Sequence, residues 1–195
     1  KEGLHFHALA ESDPDTLEKV LDSFAQRFRK YLPQLTGVNM GGGHLMTRKG
    51  YNVDQLITLL GTFKKKHKVD IILEPGSAVV WESGVLITSV LDVFFRDGIP
   101  TAIVDISFSN HLTDVLQMSY RPRIKSAKIP QKGDKYMYRL GGMSCLAGDF
   151  LSEYAFEKEL VPGDKLVFEN MIHYTMVKTS MFNGLEHPQI GIWKE

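Results

Sequence analysis

The chain has one cysteine, two tryptophans and no net charge. A single cysteine cannot close an internal disulfide. Cys145 is therefore a packing residue, a thiol of a reducing compartment, or a reactive group. Twenty-three basic residues offset 23 acidic ones, so there is no electrostatic footprint for a nucleic-acid backbone or an anionic lipid surface. No apolar run reaches the roughly 18 residues of a membrane helix, and the best, from Val85 to Phe95, is broken by Asp92. The opening Lys1-Glu2-Gly3-Leu4-His5-Phe6-His7 lacks the apolar core of a signal peptide and reads like the interior of a longer chain; a cytoplasmic setting is expected. What remains is ordinary globular composition: 195 residues, 43% hydrophobic and 24% charged. That is one large domain or two small ones at roughly 100–200 residues each.

The first part alternates strands and helices. Gly3 to Ala8 is a short β-like stretch. Ser12-Asp13-Pro14 then offers a helix start with Pro in the first turn, followed by Leu17, Val20, Leu21, Phe24 and Phe28 at helical spacing. Gly37 to Met40 predicts a second strand that runs into Gly41-Gly42-Gly43. Asn52 can cap a second helix with Leu56, Leu59, Leu60 and Phe63 on its buried face, closed by Lys64-Lys65-Lys66. Val69 to Leu73 predicts a third strand, stopped by Glu74-Pro75-Gly76. This repeat is the pattern of a parallel α/β structure. Beyond a boundary near Trp81 to Gly84 the texture changes. Leu86 to Phe95, Thr101 to Phe108, Lys135 to Leu140 and Lys165 to Asn170 read as strands between Gly, Pro and Asp turns, so an all-β domain is expected over 81–195.

Three polar features lie where parallel α/β sheets carry function, at the carboxyl ends of strands. His7 follows the first strand, Gly41-Gly42-Gly43 the second and Glu74 the third. Each alone has a bland reading: a satisfied histidine, a turn, a surface Glu-Pro-Gly. Together they suggest a cofactor site. Consecutive glycines let backbone N–H groups converge on a phosphate. A carboxylate can hold a ring nitrogen protonated, and an imidazole can stack on a ring. These are the three handles of pyridoxal phosphate, whose electron sink the carboxylate strengthens. A competing reading places a metal between His5 and His7, which share one side of a strand. His44, Asp70 or Glu74 would complete the ligands of a hydrolase. In the second part, Gly141-Gly142-Met143-Ser144-Cys145-Leu146-Ala147-Gly148-Asp149 sets a thiol and a carboxylate four residues apart, and a loop thiol can donate a proton. Tyr174 follows a strand and could reach a phosphate. The polar stretch from Ser107 to Asp114 could line a site for an amine-bearing substrate.

The stretches GLHFHALAES, NMGGGHLMTRKGYN, LEPGSAVV, DISFSNHLTDVLQMSYRPRI, YRLGGMSCLAGDF and FENMIHYTMVKTSMFNG resemble the pyridoxal-phosphate decarboxylases of the alanine racemase-like fold, and more nearly their carboxynorspermidine decarboxylase branch. The resemblance implies the C-terminal part of a pyridoxal-phosphate-binding (β/α)8 barrel over 1–80, followed by the β-domain. It implies that His7 stacks on the cofactor ring, that Gly41, Gly42, Gly43 and Tyr174 meet the phosphate, and that Glu74 pairs with the ring nitrogen. It implies that Cys145 and Asp149 are lent to a neighbour's site across a homodimer, the thiol returning a proton after carbon dioxide leaves and the carboxylate holding the substrate amine. Asp114 is a weaker candidate for a distal amine, and Phe182 with Asn183 would wall the site. The implied reaction is decarboxylation of carboxynorspermidine or carboxyspermidine to norspermidine or spermidine in polyamine synthesis. Diaminopimelate- or ornithine-type decarboxylation and a non-catalytic partner-binding relative are the alternatives within the fold.

Two departures stand out. Ser77 occupies the place of an arginine that many relatives carry after EPG, with Arg48 as the candidate substitute. The lysine that would hold the cofactor belongs upstream of the stacking histidine, and no lysine here is in that place. A whole barrel takes about 250 residues. The resemblance therefore implies half an enzyme, completed by an N-terminal chain or segment.

Overall fold

The computed structural model describes residues 2–96 and 98–194. The chain divides into two compact units, Lys1–Trp81 and Glu82–Glu195, each with its own hydrophobic core. Among the described residues no helix is long and apolar enough to cross a membrane.

The first unit is a parallel sheet in the order β1 (Gly3–His5), β2 (Gly37–Asn39), β3 (Asp70–Ile72). The strands are shorter than the sequence pattern suggests, so His7 lies two residues beyond β1 rather than at its end. Strand register aligns Leu4, Val38 and Ile71 in one row. This row faces the core, where Val38 is fully buried, because alternate residues of a strand share a face. The other row, which carries His5, Asn39 and Ile72, is exposed or half-buried. Helix α1 (Pro14–Arg27) starts with Pro in its first turn, where the missing N–H costs nothing. The Asp13 side chain makes no cap; it pairs with Arg48 instead. Leu17, Leu21 and Phe24 are buried, at helical spacing. Helix α2 (Val53–His67) is capped as expected, Asn52 accepting a hydrogen bond from the Gln55 N–H at 3.0 Å. It ends at Lys68 in a left-handed conformation. Phe24 gathers Phe6 and Phe63 around it at centroid distances of 5.1 and 6.3 Å, joining strand and helices in one apolar cluster. Burying each such side chain contributes about 1.5–3 kcal/mol.

The second unit is a six-stranded sheet in the order β6-β8-β7-β5-β4-β9. The strands are β4 (Val85–Arg96), β5 (Ile99–Val104), β6 (Ala127–Lys128), β7 (Tyr136–Gly141), β8 (Phe150–Phe156) and β9 (Lys165–Glu169). Only β5 and β7 run parallel. The long strand β4 pairs with β9 through its first half and with β5 through its second, with a register shift between Val90 and Asp92. Such an irregularity bends the strand. Val90, Ala102, Val104, Leu140, Leu166 and Phe168 point inward. The unit is not purely β, because the polar stretch after β5 folds into α3 (Phe108–His111) and α4 (Thr113–Met118), and α5 (Tyr174–Val177) follows β9. These helices are four to six residues long, too short for a periodic signal. Strand β8 also lacks one in the sequence, because glycine and aspartate precede it in what reads as a continuing loop.

Candidate active site

In the first unit, the loops after β1, β2 and β3 meet. Gly41 and Gly43 take φ values of +68° and +85°, open to glycine at no steric cost. A Cβ on Gly41 would lie 2.7 Å from the Phe6 carbonyl oxygen and 2.9 Å from His7 Cα. On Gly42 it would lie 2.6 Å from the Glu74 carbonyl oxygen, and on Gly43 2.3 Å from that of Leu9. The triplet is thus required twice. Its backbone must turn left-handed, and it must also touch the other two strand-end loops. Among the described residues, the Gly42 and Gly43 N–H groups meet no hydrogen-bond acceptor, whereas the Gly41 N–H donates to Asn39 Oδ1 at 2.9 Å. Two unpaired amides in a glycine cradle are the donor set for a phosphate.

The expected site residues gather around this cradle. The His7 ring is exposed and its Cε1 lies 3.4 Å from where a Gly42 Cβ would be. The Glu74 N–H donates to the Gly41 carbonyl at 2.8 Å, and its carboxylate Oε1 accepts from Asn39 Nδ2 at 2.7 Å. Asn39 escaped the sequence analysis. One amide side chain engages both the carboxylate and the glycine loop; the only signal was an Asn two residues before the triplet. His5 Nε2 stands 4.0 Å from Glu74 Oε2. The ligand atoms of His5, His7 and Glu74 lie within 4.8 Å of one another, so the metal reading has its geometry here too. Its other candidates are elsewhere: Asp70 pairs with Lys64 at 3.0 Å. His44 is buried, and that burial holds its imidazole below its ordinary pKa. Arg48, the candidate phosphate partner, is engaged by Asp13.

In the second unit, Cys145 is exposed on the loop between β7 and β8. Asp149, which closes that loop, is buried. Its Oδ1 accepts from the Ser109 N–H at 2.9 Å and its Oδ2 from the Ser144 N–H at 3.0 Å, while its carbonyl accepts from Gly142 N at 2.7 Å. Burial pushes its pKa up, but hydrogen bonds from Ser144, Ser109 and Ser107 outweigh this and hold it below the usual carboxylate value. Both oxygens are engaged inside the fold, so Asp149 anchors the thiol loop, a role that the sequence reading, which gave it a substrate amine, did not include. Asp114 is likewise engaged within the fold. It is buried, and Lys178, which also reaches Gln117, binds its carboxylate at 3.2 Å. Tyr174 follows β9, opens α5 and is 51% exposed, leaving its phenol free to meet a ligand. Phe182 is exposed, and its carbonyl accepts from buried Asn110 at 2.8 Å. Asn183 Nδ2 lies 2.9 Å from Cys145 Sγ.

The fold and these residues define the class. Residues 19–172 match the family described as pyridoxal-dependent decarboxylase, C-terminal sheet domain, and the chain belongs to that family. Its cofactor is therefore pyridoxal phosphate, and the cradle, Glu74 and His7 fit the phosphate, ring nitrogen and ring face of that group. This removes the ground for a metal hydrolase. Among particular relatives, a carboxyaminopropylagmatine decarboxylase from Synechocystis is 50% identical over 190 residues, 97% of this chain and 49% of that protein. A carboxynorspermidine/carboxyspermidine decarboxylase from Campylobacter jejuni is 44% identical over 199 residues, 97% of this chain and 52% of that protein. The crystal structure of carboxynorspermidine decarboxylase from Campylobacter jejuni, complexed with norspermidine, superposes with a TM-score of 0.87 at 44% identity, covering 96% of this chain and 53% of that one. The chain spans about half the length of these relatives.

Proposed function

We propose that this chain is the C-terminal half of a decarboxylase that acts on carboxynorspermidine or carboxyspermidine, in the cytoplasm and as a homodimer with shared sites. Residues 1–80 supply part of the cofactor barrel, and a further segment or chain supplies the missing strands and the lysine that holds the cofactor. The observation that carries the reading is the meeting of two unpaired glycine amides, the Glu74 carboxylate and the His7 ring at the ends of three parallel strands. The exposed or half-buried second row of that sheet, with His5, Asn39 and Ile72, agrees with it, because parallel sheets are normally covered on both faces.

When bound, the cofactor supplies an electron sink for the bond to the departing carboxylate. The residues of this chain do the rest. Gly42 and Gly43 donate N–H bonds to the phosphate. Glu74, oriented by Asn39, keeps the proton on the ring nitrogen. His7 covers one face of the ring and excludes water from it. The Cys145 thiol, lent to the neighbouring copy's site across the homodimer, returns a proton to the substrate carbon that has lost carbon dioxide, leaving sulfur as thiolate.

A second substrate reading rests on the 50% identical Synechocystis relative, named for carboxyaminopropylagmatine. Product analysis on the complete enzyme, with carboxynorspermidine, carboxyspermidine, carboxyaminopropylagmatine and diaminopimelate side by side, tests both. Norspermidine or spermidine as the preferred product is expected. Preference for carboxyaminopropylagmatine would transfer the assignment, and turnover of diaminopimelate alone would overturn both.

A further inference from the structure

We propose that Asn183 is a positioning residue for the Cys145 thiol: its amide N–H holds the sulfur and stabilises the charge that develops there as the proton leaves. The proposal deepens the decarboxylase reading and rests on it for its catalytic purpose, though the contact itself does not.

The argument starts from α3. Two buried side chains fasten two separate loops to this four-residue helix. Asp149 accepts from the Ser109 and Ser144 N–H groups and so ties the thiol loop to α3. The Asn110 side-chain amide donates to the Phe182 carbonyl at 2.8 Å, and the Asn110 backbone carbonyl accepts from the Ser180 N–H at 2.9 Å. Buried polar groups that are hydrogen-bonded within the fold favour one arrangement. The segment that carries Asn183 is thereby fixed relative to the loop that carries Cys145, and Asn183 Nδ2 arrives 2.9 Å from Cys145 Sγ. Asn183 itself takes φ +58° and is followed by Gly184 at +74°. Asn is among the few side-chain-bearing residues that visit this region readily. The backbone alone would accept glycine there, so the amide is the feature left to explain. A proton donor becomes an anion when it works, and a neutral N–H donor gains strength when its acceptor is charged.

Because Asn183 has both a backbone role and an amide role, the variants must separate them. Asn183→Gly keeps the left-handed backbone and deletes the donor. Asn183→Asp keeps the shape and sets a negative charge beside the sulfur. The measurement is the rate of iodoacetamide alkylation at Cys145 in the full chain, read by mass spectrometry of its peptide at pH 7 and at pH 10. Thiolate is the reacting form, so the pH 10 rate reports access and the ratio of the two rates reports stabilisation of the anion. In Asn183→Gly the pH 7 rate is expected to fall about 3–10-fold while the pH 10 rate stays within about twofold; Asn183→Asp falls further at pH 7. Equal changes at both pH values would mean that the loop merely loosened, and unchanged rates would mean that the contact does nothing; either overturns the proposal. Should both variants fail to fold, the native chain still decides. Its pH 7 to pH 10 ratio must exceed that of the urea-unfolded chain, and equality overturns the proposal. Alkylation needs neither cofactor nor substrate. A failed decarboxylation assay would therefore remove the enzyme reading without touching this result.

Discussion

The two units handle their reactive groups in opposite ways. In the first, His5, His7 and Glu74 stand exposed at or just beyond the ends of strands three residues long, with Asn39 as the side chain that ties Glu74 to the glycine loop. In the second, the exposed thiol is backed by buried Asp149, held by Ser109 of α3 and by Ser144 of its own loop, and by buried Asn110, which donates to Phe182. The difference teaches where order comes from. A strand-end site in a parallel sheet is aligned by the ladder itself, since β1, β2 and β3 present their loops on one edge. A thiol on a loop between antiparallel strands has no such frame and needs internal anchors.

The largest expected effect lies in the core that supports those anchors. Phe168 is fully buried beside Phe108 of α3, with ring centroids 6.1 Å apart. Phe168→Ala should destabilise the second unit by about 3–5 kcal/mol, seen as faster hydrogen exchange in β4, β5 and β9. Exchange unchanged there would mean that the unit does not depend on this packing. Next comes the site of the first unit. Glu74→Gln in the complete enzyme is expected to lower turnover about 100- to 1,000-fold. Cys145→Ala should slow turnover or divert the product while leaving the cofactor spectrum intact. A lost spectrum in the cysteine variant would erase the division of labour between cradle and thiol.

Smaller effects test the anchors. Asp149→Asn turns one acceptor into a donor facing a backbone N–H and should cost about 1–3 kcal/mol. The native carboxylate has its pKa lowered from 3.8. Its contribution is therefore present above the ordinary carboxylate value and is lost as pH falls through the lower folded value; an acid-unfolding curve should be shallower in the variant. Asn39→Ala, which removes a single amide bridge, should weaken cofactor binding several-fold, about 1 kcal/mol, measurable by titration of the absorbance. The smallest effect concerns His44. Burial lowers its pKa from 6.5, so the unfolded chain takes up the proton first, and stability declines as pH drops below that value. His44→Leu should flatten stability against pH between 5 and 7 in hydrogen exchange of the first unit; an unaltered slope would assign the dependence elsewhere.

Much of the first unit was legible from particular residues. Pro14, the Asn52 cap and the apolar spacing of Leu17, Leu21 and Phe24 each act within a few positions of themselves, and the His7, glycine and Glu74 features each adjoin their own strand. Asn39 was hidden because its partner lies 35 residues away. In the second unit the distances grow. Asp149 meets Ser109 across 40 residues, and Asn110 meets Phe182 across 72. From the sequence, Asp149 and Asp114 were carboxylates near a thiol or in a polar loop; nothing local reveals that backbone amides and Lys178 consume them. The short helices α3, α4 and α5 were unreadable for a related reason, since one turn of helix carries no period.

By itself, then, the sequence determined the alternation of strand and helix in the first unit, the change to strands in the second, the placement of His7, the glycine triplet and Glu74 after their strands, and the one thiol. All of these depend on local propensity and on the direction a strand or helix gives its side chains. Only the tertiary structure decided which polar groups remain free to act. Hydrogen-bond satisfaction is settled by whatever the fold brings within about 3 Å. That is why Asp149 became an anchor, Asp114 an ion-pair partner and Asn183 the neighbour of the thiol.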